Sequence, residues 1–220
     1  MIKAVLFDLD NTLIDFMVMK RRCTEAAVSA MIDAGLGMSK KKAYTLMFEL
    51  YERHGIEDST IYQKFLQKYV HKVDYKILSA GVVAYRKVRA AQLVPYPQVR
   101  ATLIALKSKG LKLGVVSDAP KMQAWLRLTE MSLVEFFDVV LGFEDTGELK
   151  PSSAPFKKAL LRMKVKASEV VFIGDNPHRD IVGAKKVGMK TVLAKYGGCK
   201  SKSGADWEIK GIGELLKIVK

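Results

Sequence analysis

The sequence predicts an α/β fold, a doubly wound parallel sheet with a small α-helical domain inserted after its first strand. Three observations carry that prediction. Short runs rich in branched and aromatic residues recur along the chain, apolar throughout and too short for core helices, which suits strands buried on both faces of a parallel sheet. Beyond Pro97 these runs alternate with stretches of helical periodicity, the pattern of βαβ units with helices on both faces. Between residue 16 and about residue 91 no strand pattern interrupts the helical spacing, so that stretch reads as a domain of its own.

Ala4-Val5-Leu6-Phe7 is the first strand, and it delivers Asp8-Leu9-Asp10-Asn11-Thr12. After Ile14 the spacing becomes helical through Met19, Cys23, Ala26, Ala30 and Met31, with Gly35 as the stop. Ser39 offers an N-cap to a helix that shows Ala43, Leu46, Met47 and Leu50 and ends near Gly55. A helix from about Thr60 uses Ile61, Phe65 and Tyr69. Another starts at Asp74 and shows Ile77, Leu78, Val82, Tyr85 and Val88, and Pro95 and Pro97 close the region. The expected division is a core domain of residues 1–15 and 92–220 and a helical domain of residues 16–91.

Beyond Pro97 a helix over residues 98–109 ends at Gly110, and Leu113-Gly114-Val115-Val116 is a strand that ends on Ser117. A helix through Trp125 and Leu128 follows, then the strand Val139-Val140-Leu141, then a helix carrying Phe156, Leu160 and Met163. Val170-Val171-Phe172-Ile173 is the next strand. A helix through Ile181, Ala184 and Val187 stops at Gly188, and Thr191-Val192-Leu193 is again a strand. Residues 197–204 read as a loop, residues 205–209 as a short strand, and Leu215-Leu216 as part of a last helix. Trp125 and Trp207 lie in patterns that need bulk and are expected to pack.

A chain of 220 residues is long enough for a full core with a lobe. No segment approaches the roughly 20 apolar residues that span a bilayer, and Met1-Ile2-Lys3 leads straight into a strand; a soluble cytoplasmic protein without membrane partners is expected. Cys23 and Cys199 belong to no metal-ligand pair or redox motif and read as free thiols, Cys23 as a packing residue. Only two Asn and five Gln stand against 37 Lys plus Arg, a bias found in heat-adapted proteins. The net charge of +14 fits either a nucleic-acid surface or a field that draws small anions. Its clusters, Lys20-Arg21-Arg22 and Lys40-Lys41-Lys42, fall on helices without interleaved aromatics, so solvated helix faces are expected and nucleic acid is not.

Ligands of open parallel sheets bind beyond the carboxyl ends of the strands. Four polar stretches are candidates for that place: Asp8 with Asp10, Ser117-Asp118, Leu149-Lys150-Pro151, and Gly174-Asp175-Asn176-Pro177-His178-Arg179-Asp180. Taken singly each has a plain structural reading. Asp-x-Asp can be a polar loop, Asp175 and Asp180 can cap a helix, Ser117 can close a turn, and Lys150 can be a loop charge. Together and in this order they resemble the haloacid dehalogenase superfamily, specifically its phosphatases of the phosphoglycolate phosphatase-like kind. The motifs of those enzymes read Asp-x-Asp-x-Thr, Ser or Thr after a strand, Lys, and Gly-Asp-x-x-x-x-Asp. The similarity extends from residue 2 to about residue 195.

The resemblance implies a Rossmann-like core with a helical cap, and magnesium-dependent hydrolysis of small phosphorylated metabolites through an aspartyl-phosphate. Such esters need an in-line nucleophile and neutralised phosphoryl oxygens. By resemblance Asp8 is the nucleophile, and Asp10 protonates the leaving alkoxide and then deprotonates water. Mg2+ falls to Asp8, the Asp10 backbone carbonyl and Asp175, with Asp180 supporting them. Ser117 and Lys150 contact the phosphoryl group, and backbone amides at Leu9 and Ala119 add donors. Asp118 stands where many relatives have Asn; a carboxylate aimed at substrate would repel it, so it is expected to turn away or to hydrogen-bond the loop backbone. His54, His71 and His178 lack zinc spacing and are expected at the surface.

Competing readings are a phosphomutase, a 2-haloacid dehalogenase, which has no alkoxide to protonate and hence no use for Asp10, and a non-catalytic nucleic-acid-binding protein on the same fold. The helical insertion is expected to choose the substrate. A monomer and a homodimer are equally compatible with the sequence.

Overall fold

In the computed structural model, which describes residues 1–199 and 203–219, β1 (Ala4–Phe7) is buried along its whole length. It pairs in parallel with β2 (Lys112–Val116) on one side and β4 (Val170–Gly174) on the other, with Ala4 opposite both Lys112 and Val170. Outside these lie β3 (Val139–Leu141), β5 (Lys190–Ala194) and β6 (Trp207–Ile209), all parallel, giving the six-stranded order β3-β2-β1-β4-β5-β6. The uninterrupted apolar runs are explained by this placement, since both faces of the central strands are covered. Asp206 precedes β6 and accepts from the amide and hydroxyl of Thr191 at 2.8 and 2.7 Å, which fixes the last strand against its neighbour.

Side chains of a strand alternate between faces. On one face Ala4, Leu6 and Phe172 meet Phe156, Ala159 and Met163 of α7 (Ser153–Met163) and Ala184 of α8 (Val182–Lys186). The Phe156 and Phe172 rings meet edge to face at 5.0 Å. Truncating either buried ring to alanine would cost about 3–5 kcal/mol. Two further core helices, α5 (Val99–Ser108) and α6 (Lys121–Glu130), lie against β2 and β3 respectively, and α9 (Leu215–Ile218) packs on α5. The α/β parallel architecture read from the sequence is the one present.

Contacts divide the chain into one unit of Met1–Phe16 and Val94–Lys220 and a second of Met17–Leu93. The second unit holds most of α1 (Phe16–Asp33) and all of α2 (Lys40–His54), α3 (Ile61–Tyr69) and α4 (Tyr75–Gln92). Ser39 Oγ caps α2 through the amide of Lys42, and Asp74 Oδ1 caps α4 through the amides of Lys76 and Ile77. Ala27, Met31, Met47, Leu50, Phe65, Leu66, Ile77 and Leu78 form its own apolar core.

Several expectations need correction. The buried stripe of α1 runs through Ala27 and Val28, not Ala26 and Ala30, because two adjacent alanine-rich phases fit the helical spacing and only packing selects between them. Lys20 does not belong to a solvated basic face: it is 5% exposed, stands 4.2 Å from the centre of the Tyr51 ring and donates to Tyr85 Oη at 3.1 Å. Arg21, Arg22 and Lys40 to Lys42 are exposed as expected. Trp125 and Trp207 remain 36% and 37% exposed, since a flat bulky side chain can cover a helix or an edge strand without entering the core. Cys23 is buried, and both cysteines are free thiols. The three histidines are exposed. Of the loop expected over residues 197–204, residues 200–202 lie outside those described. No helix among the described residues is long and apolar enough to cross a membrane.

Candidate active site

The carboxyl end of β1 places Asp8 at the middle of the sheet, where its amide donates to Ile173 O at 2.8 Å. The side chain is 4% exposed; Thr12 Oγ1 donates to Oδ2 at 3.2 Å and Lys150 Nζ reaches Oδ1 at 2.5 Å. Asn11 turns the chain with a φ of 60°, a left-handed conformation that asparagine tolerates better than most residues. The loop then returns so that Leu13 N donates to the carbonyl of buried Leu9 at 2.8 Å.

Lys150 is 3% exposed, and its ammonium also lies 2.7 Å from Asp180 Oδ1 and 3.1 Å from Val116 O. Burial on its own would lower its pKa, but Asp180, Asp8 and Asp118 outweigh it and hold the lysine charged, with a raised pKa. Removing one partner of so enclosed an ion pair costs about 3–5 kcal/mol, because the other charge is left in low dielectric.

β4 ends in Gly174, and there the absent side chain matters. A Cβ at Gly174 would lie 2.5 Å from Asp180 Cβ, so only glycine lets Asp180 fold back against the strand. Asp180 is fully buried and accepts from Asn176 N at 3.0 Å; burial pushes its carboxyl up and Lys150 pulls it back. Asn176 Oδ1 caps the turn Pro177–Ile181 through the amides of His178 and Arg179. Asp175 is 8% exposed and its Oδ1 is buried without a hydrogen-bond partner. Burial, then the charges of Asp8 and Asp180, push the Asp175 carboxyl up to about 7.

Oxygens of Asp8, Asp175 and Asp180 come within 4.8 Å of one another. Lys150 balances one of these three charges. An all-oxygen donor set with a buried carboxylate oxygen that lacks a hydrogen-bond partner fits a hard divalent cation such as magnesium, which needs few protein ligands. Asp8 and Asp175 could hold it.

The other expected residues fall as follows. Ser117, 5% exposed, follows β2, and its Oγ accepts from Ala119 N at 3.1 Å, so the Ala119 amide assigned to the phosphoryl group is engaged inside the loop here. Asp118 turns to the backbone as expected: Oδ1 accepts from Lys150 N at 2.9 Å and Oδ2 pairs with Arg179 Nη1 at 3.3 Å. It thereby helps set the loop that presents Lys150. The Asp10 side chain is not one of the three clustered carboxylates, and its Oδ2 is held by Arg127 Nη1 at 2.8 Å.

Three residues contribute here that the motifs do not name. Arg127 carried one signal, a charge on the apolar face formed by Ala124 and Leu128. Arg179 lies inside the last motif; burial lowers its pKa but the surrounding Asp180, Asp8, Asp118 and Asp175 carboxylates raise it further. Tyr196 Oη donates to Thr12 O at 2.9 Å and supports the first loop from the far end of the chain. Nothing local in the sequence marks it.

A doubly wound sheet whose central strand ends on a carboxylate, faced by a buried lysine and two further acids, places a candidate active site at the carboxyl ends of the strands. The family model of haloacid dehalogenase-like hydrolases matches residues 5–194. The chain is 36% identical to a glyceraldehyde 3-phosphate phosphatase of Methanocaldococcus jannaschii, over 100% of this chain and 98% of that protein. It is 31% identical to a phosphoglycolate phosphatase of Aquifex aeolicus, over 99% and 96% of the two chains. The crystal structure of a HAD phosphatase from Thermococcus onnurineus superposes with a TM-score of 0.70 at 29% identity, covering 99% of this chain and 98% of that one. The chain belongs to the haloacid dehalogenase-like hydrolases. Within that family it is an enzyme of the phosphatase type.

Proposed function

We propose that this phosphatase hydrolyses small phosphorylated metabolites with the help of magnesium and passes through a phosphorylated Asp8. The observation that carries the reading is the position of the Asp8 carboxylate, at the end of the central strand, paired with the Lys150 ammonium and clustered with the Asp175 and Asp180 carboxylates. Names of full-length relatives make glyceraldehyde 3-phosphate the leading candidate substrate and phosphoglycolate the next.

In the first step an Asp8 carboxylate oxygen forms a bond to phosphorus while the bond from phosphorus to the alkoxide oxygen breaks. The departing oxygen keeps the electron pair and takes a proton from the Asp10 carboxyl, so the alcohol leaves neutral. In the second step a water oxygen attacks the same phosphorus and gives its proton to the Asp10 carboxylate. The bond from phosphorus to Asp8 breaks, which restores the carboxylate and releases inorganic phosphate. Lys150 and the Ser117 hydroxyl stabilise charge on the phosphoryl oxygens. Magnesium at Asp8, Asp175 and the Asp10 carbonyl would supply the positive charge that lets one anion approach another. Asp180 keeps Lys150 in register, and Asp118 fixes the backbone that carries it.

The test is a screen of phosphorylated metabolites for phosphate release, with magnesium and with chelator, on the unaltered chain. Magnesium-dependent turnover of a three-carbon or two-carbon phosphate ester is expected. Release of halide from 2-haloacids, or phosphoryl transfer between sugar positions without phosphate release, would replace this reading.

A further inference from the structure

Helix α6 buries an arginine where its neighbours are Ala124 and Leu128. Arg127 is 2% exposed and among the largest fully buried side chains of the protein. Its guanidinium carries charge at any ordinary pH, and a buried charge is costly unless it is closely paired. The pairing is with Asp10: Nη1 donates to Oδ2 at 2.8 Å across 117 residues of sequence. The guanidinium plane also sits over the Phe16 ring, 4.4 Å from its centre. Packing on one side and a charged hydrogen bond on the other leave the guanidinium one orientation. The Asp10 side chain is 22% exposed with Oδ1 buried, so the carboxyl stands at the border of the core where Arg127 meets it.

We propose that Arg127 is a positioning residue for the Asp10 carboxyl, holding one oxygen so that the group stays beside the scissile bond for both proton transfers. The proposal rests on the reading of Asp10 as the proton carrier. Arg127 gives up no proton in it. The proton that reaches the alkoxide leaves the other Asp10 oxygen, the proton removed from water returns to that oxygen, and Arg127 supplies a fixed hydrogen bond to Oδ2 throughout. Such placement is where proximity effects arise, since a small displacement of a reacting group costs rate steeply. The arginine lies on the helix that begins just after Ser117 and Asp118, which ties the orientation of Asp10 to the loop that contacts the phosphoryl group.

Leaving groups separate this role from a structural one. The p-nitrophenolate ion departs without a proton, whereas the alkoxide of glyceraldehyde 3-phosphate needs one. Rapid-quench measurement of Asp8 phosphorylation by each ester, on Arg127→Met, Asp10→Asn and the double variant of the full chain, reads the first step alone. Arg127→Met is expected to slow transfer from glyceraldehyde 3-phosphate about 10²-fold, the lower end of what acid catalysis contributes. Transfer from p-nitrophenyl phosphate should stay within about twofold, and adding Arg127→Met to Asp10→Asn should change neither rate by more than that. Phe16→Leu, which loosens the guanidinium without removing its charge, should give a weaker effect with the same leaving-group selectivity and serves if Arg127→Met does not fold. Equal loss on both esters, or losses that multiply in the double variant, would overturn the proposal while leaving Asp10 in its role. Asp10→Asn that slows both esters equally would remove the proton-carrier reading and this proposal with it.

Discussion

Gly197 offers the sharpest test of how the site is assembled. It closes the turn Lys195–Gly197 after β5, and a Cβ there would stand 2.3 Å from the Asn11 carbonyl oxygen and 2.5 Å from Asp175 Cβ. Both distances are far inside van der Waals contact. One neighbour is backbone and the other is the root of a proposed metal ligand, so neither can swing aside as a flexible tip would. Overpacking of this kind costs about 1–3 kcal/mol. For a chain of this size Gly197→Ala should lower the melting temperature by about 2–12 °C. The clash also pushes Asp175 away from Asp8, so half-maximal activity should need more magnesium, by about 10- to 100-fold, the usual effect of disturbing a ligand's support. Circular-dichroism melts in chelator measure the first effect, and magnesium titrations of phosphate release measure the second. Gly198→Ala is the control: its φ of 98° makes alanine strained, but nothing lies within 4 Å of the new Cβ. It should lose stability without changing the magnesium requirement. If Gly197→Ala matched the wild type in both assays, or matched Gly198→Ala, the close approach between this turn and the acidic cluster would not exist in solution.

Other perturbations address single roles. Asp8→Asn should keep the melting curve cooperative and abolish turnover; steady hydrolysis by rigorously purified variant would exclude Asp8 as nucleophile. Asp175→Asn should weaken magnesium binding directly in calorimetric titration, while Asp10→Asn, which retains the backbone carbonyl, should bind the ion nearly as the wild type and lose chemistry instead. Replacing residues 17–93 with a short linker should leave a folded sheet and reduce activity toward glyceraldehyde 3-phosphate far more than toward p-nitrophenyl phosphate; equal losses would place selectivity in the core loops. Asp145 is half-buried, which would raise its pKa, but the Gly142 amide, Lys121 and Arg162 outweigh that and hold its carboxyl below the usual range. A depressed pKa contributes stability above the unfolded value of about 3.9 and loses it as pH falls toward the folded one. Melting temperatures of Asp145→Asn should therefore depend less on pH below about 4 than those of the wild type, and parallel curves would show that the pairing contributes nothing.

Much of this molecule is legible in its sequence because the informative features are local. The central strands β1 and β4 are unbroken apolar runs followed directly by Asp8 and Asp175, and Ser117 follows the apolar end of β2, so strand and site residue are read together. Ser39 and Asp74 announce helix starts by chemistry that acts over three residues. Asp118 was legible too, because electrostatic repulsion excludes one orientation and the backbone offers the other. What escapes is tertiary. The Arg127 contact spans 117 residues and that of Tyr196 spans 184, and no short window holds both partners. Lys20 looked like surface charge because its tyrosines come from α2 and α4. The phase of α1 was ambiguous because alanines fit on either side of its stripe.

The place of β1 in the sheet also governs when the enzyme comes into being. It precedes both of its sheet neighbours in the chain, which are residues 112–116 and 170–174. At about 5–20 residues per second, roughly 10–30 s pass between the emergence of Asp8 and the emergence of Asp175. During that interval the helical unit Met17–Leu93 is complete and holds the residues of its own apolar core, while the strand that carries Asp8 waits with unpaired edges. A nascent chain therefore cannot assemble the acidic cluster of Asp8, Asp175 and Asp180 until residue 180 is made, however early its helical unit folds.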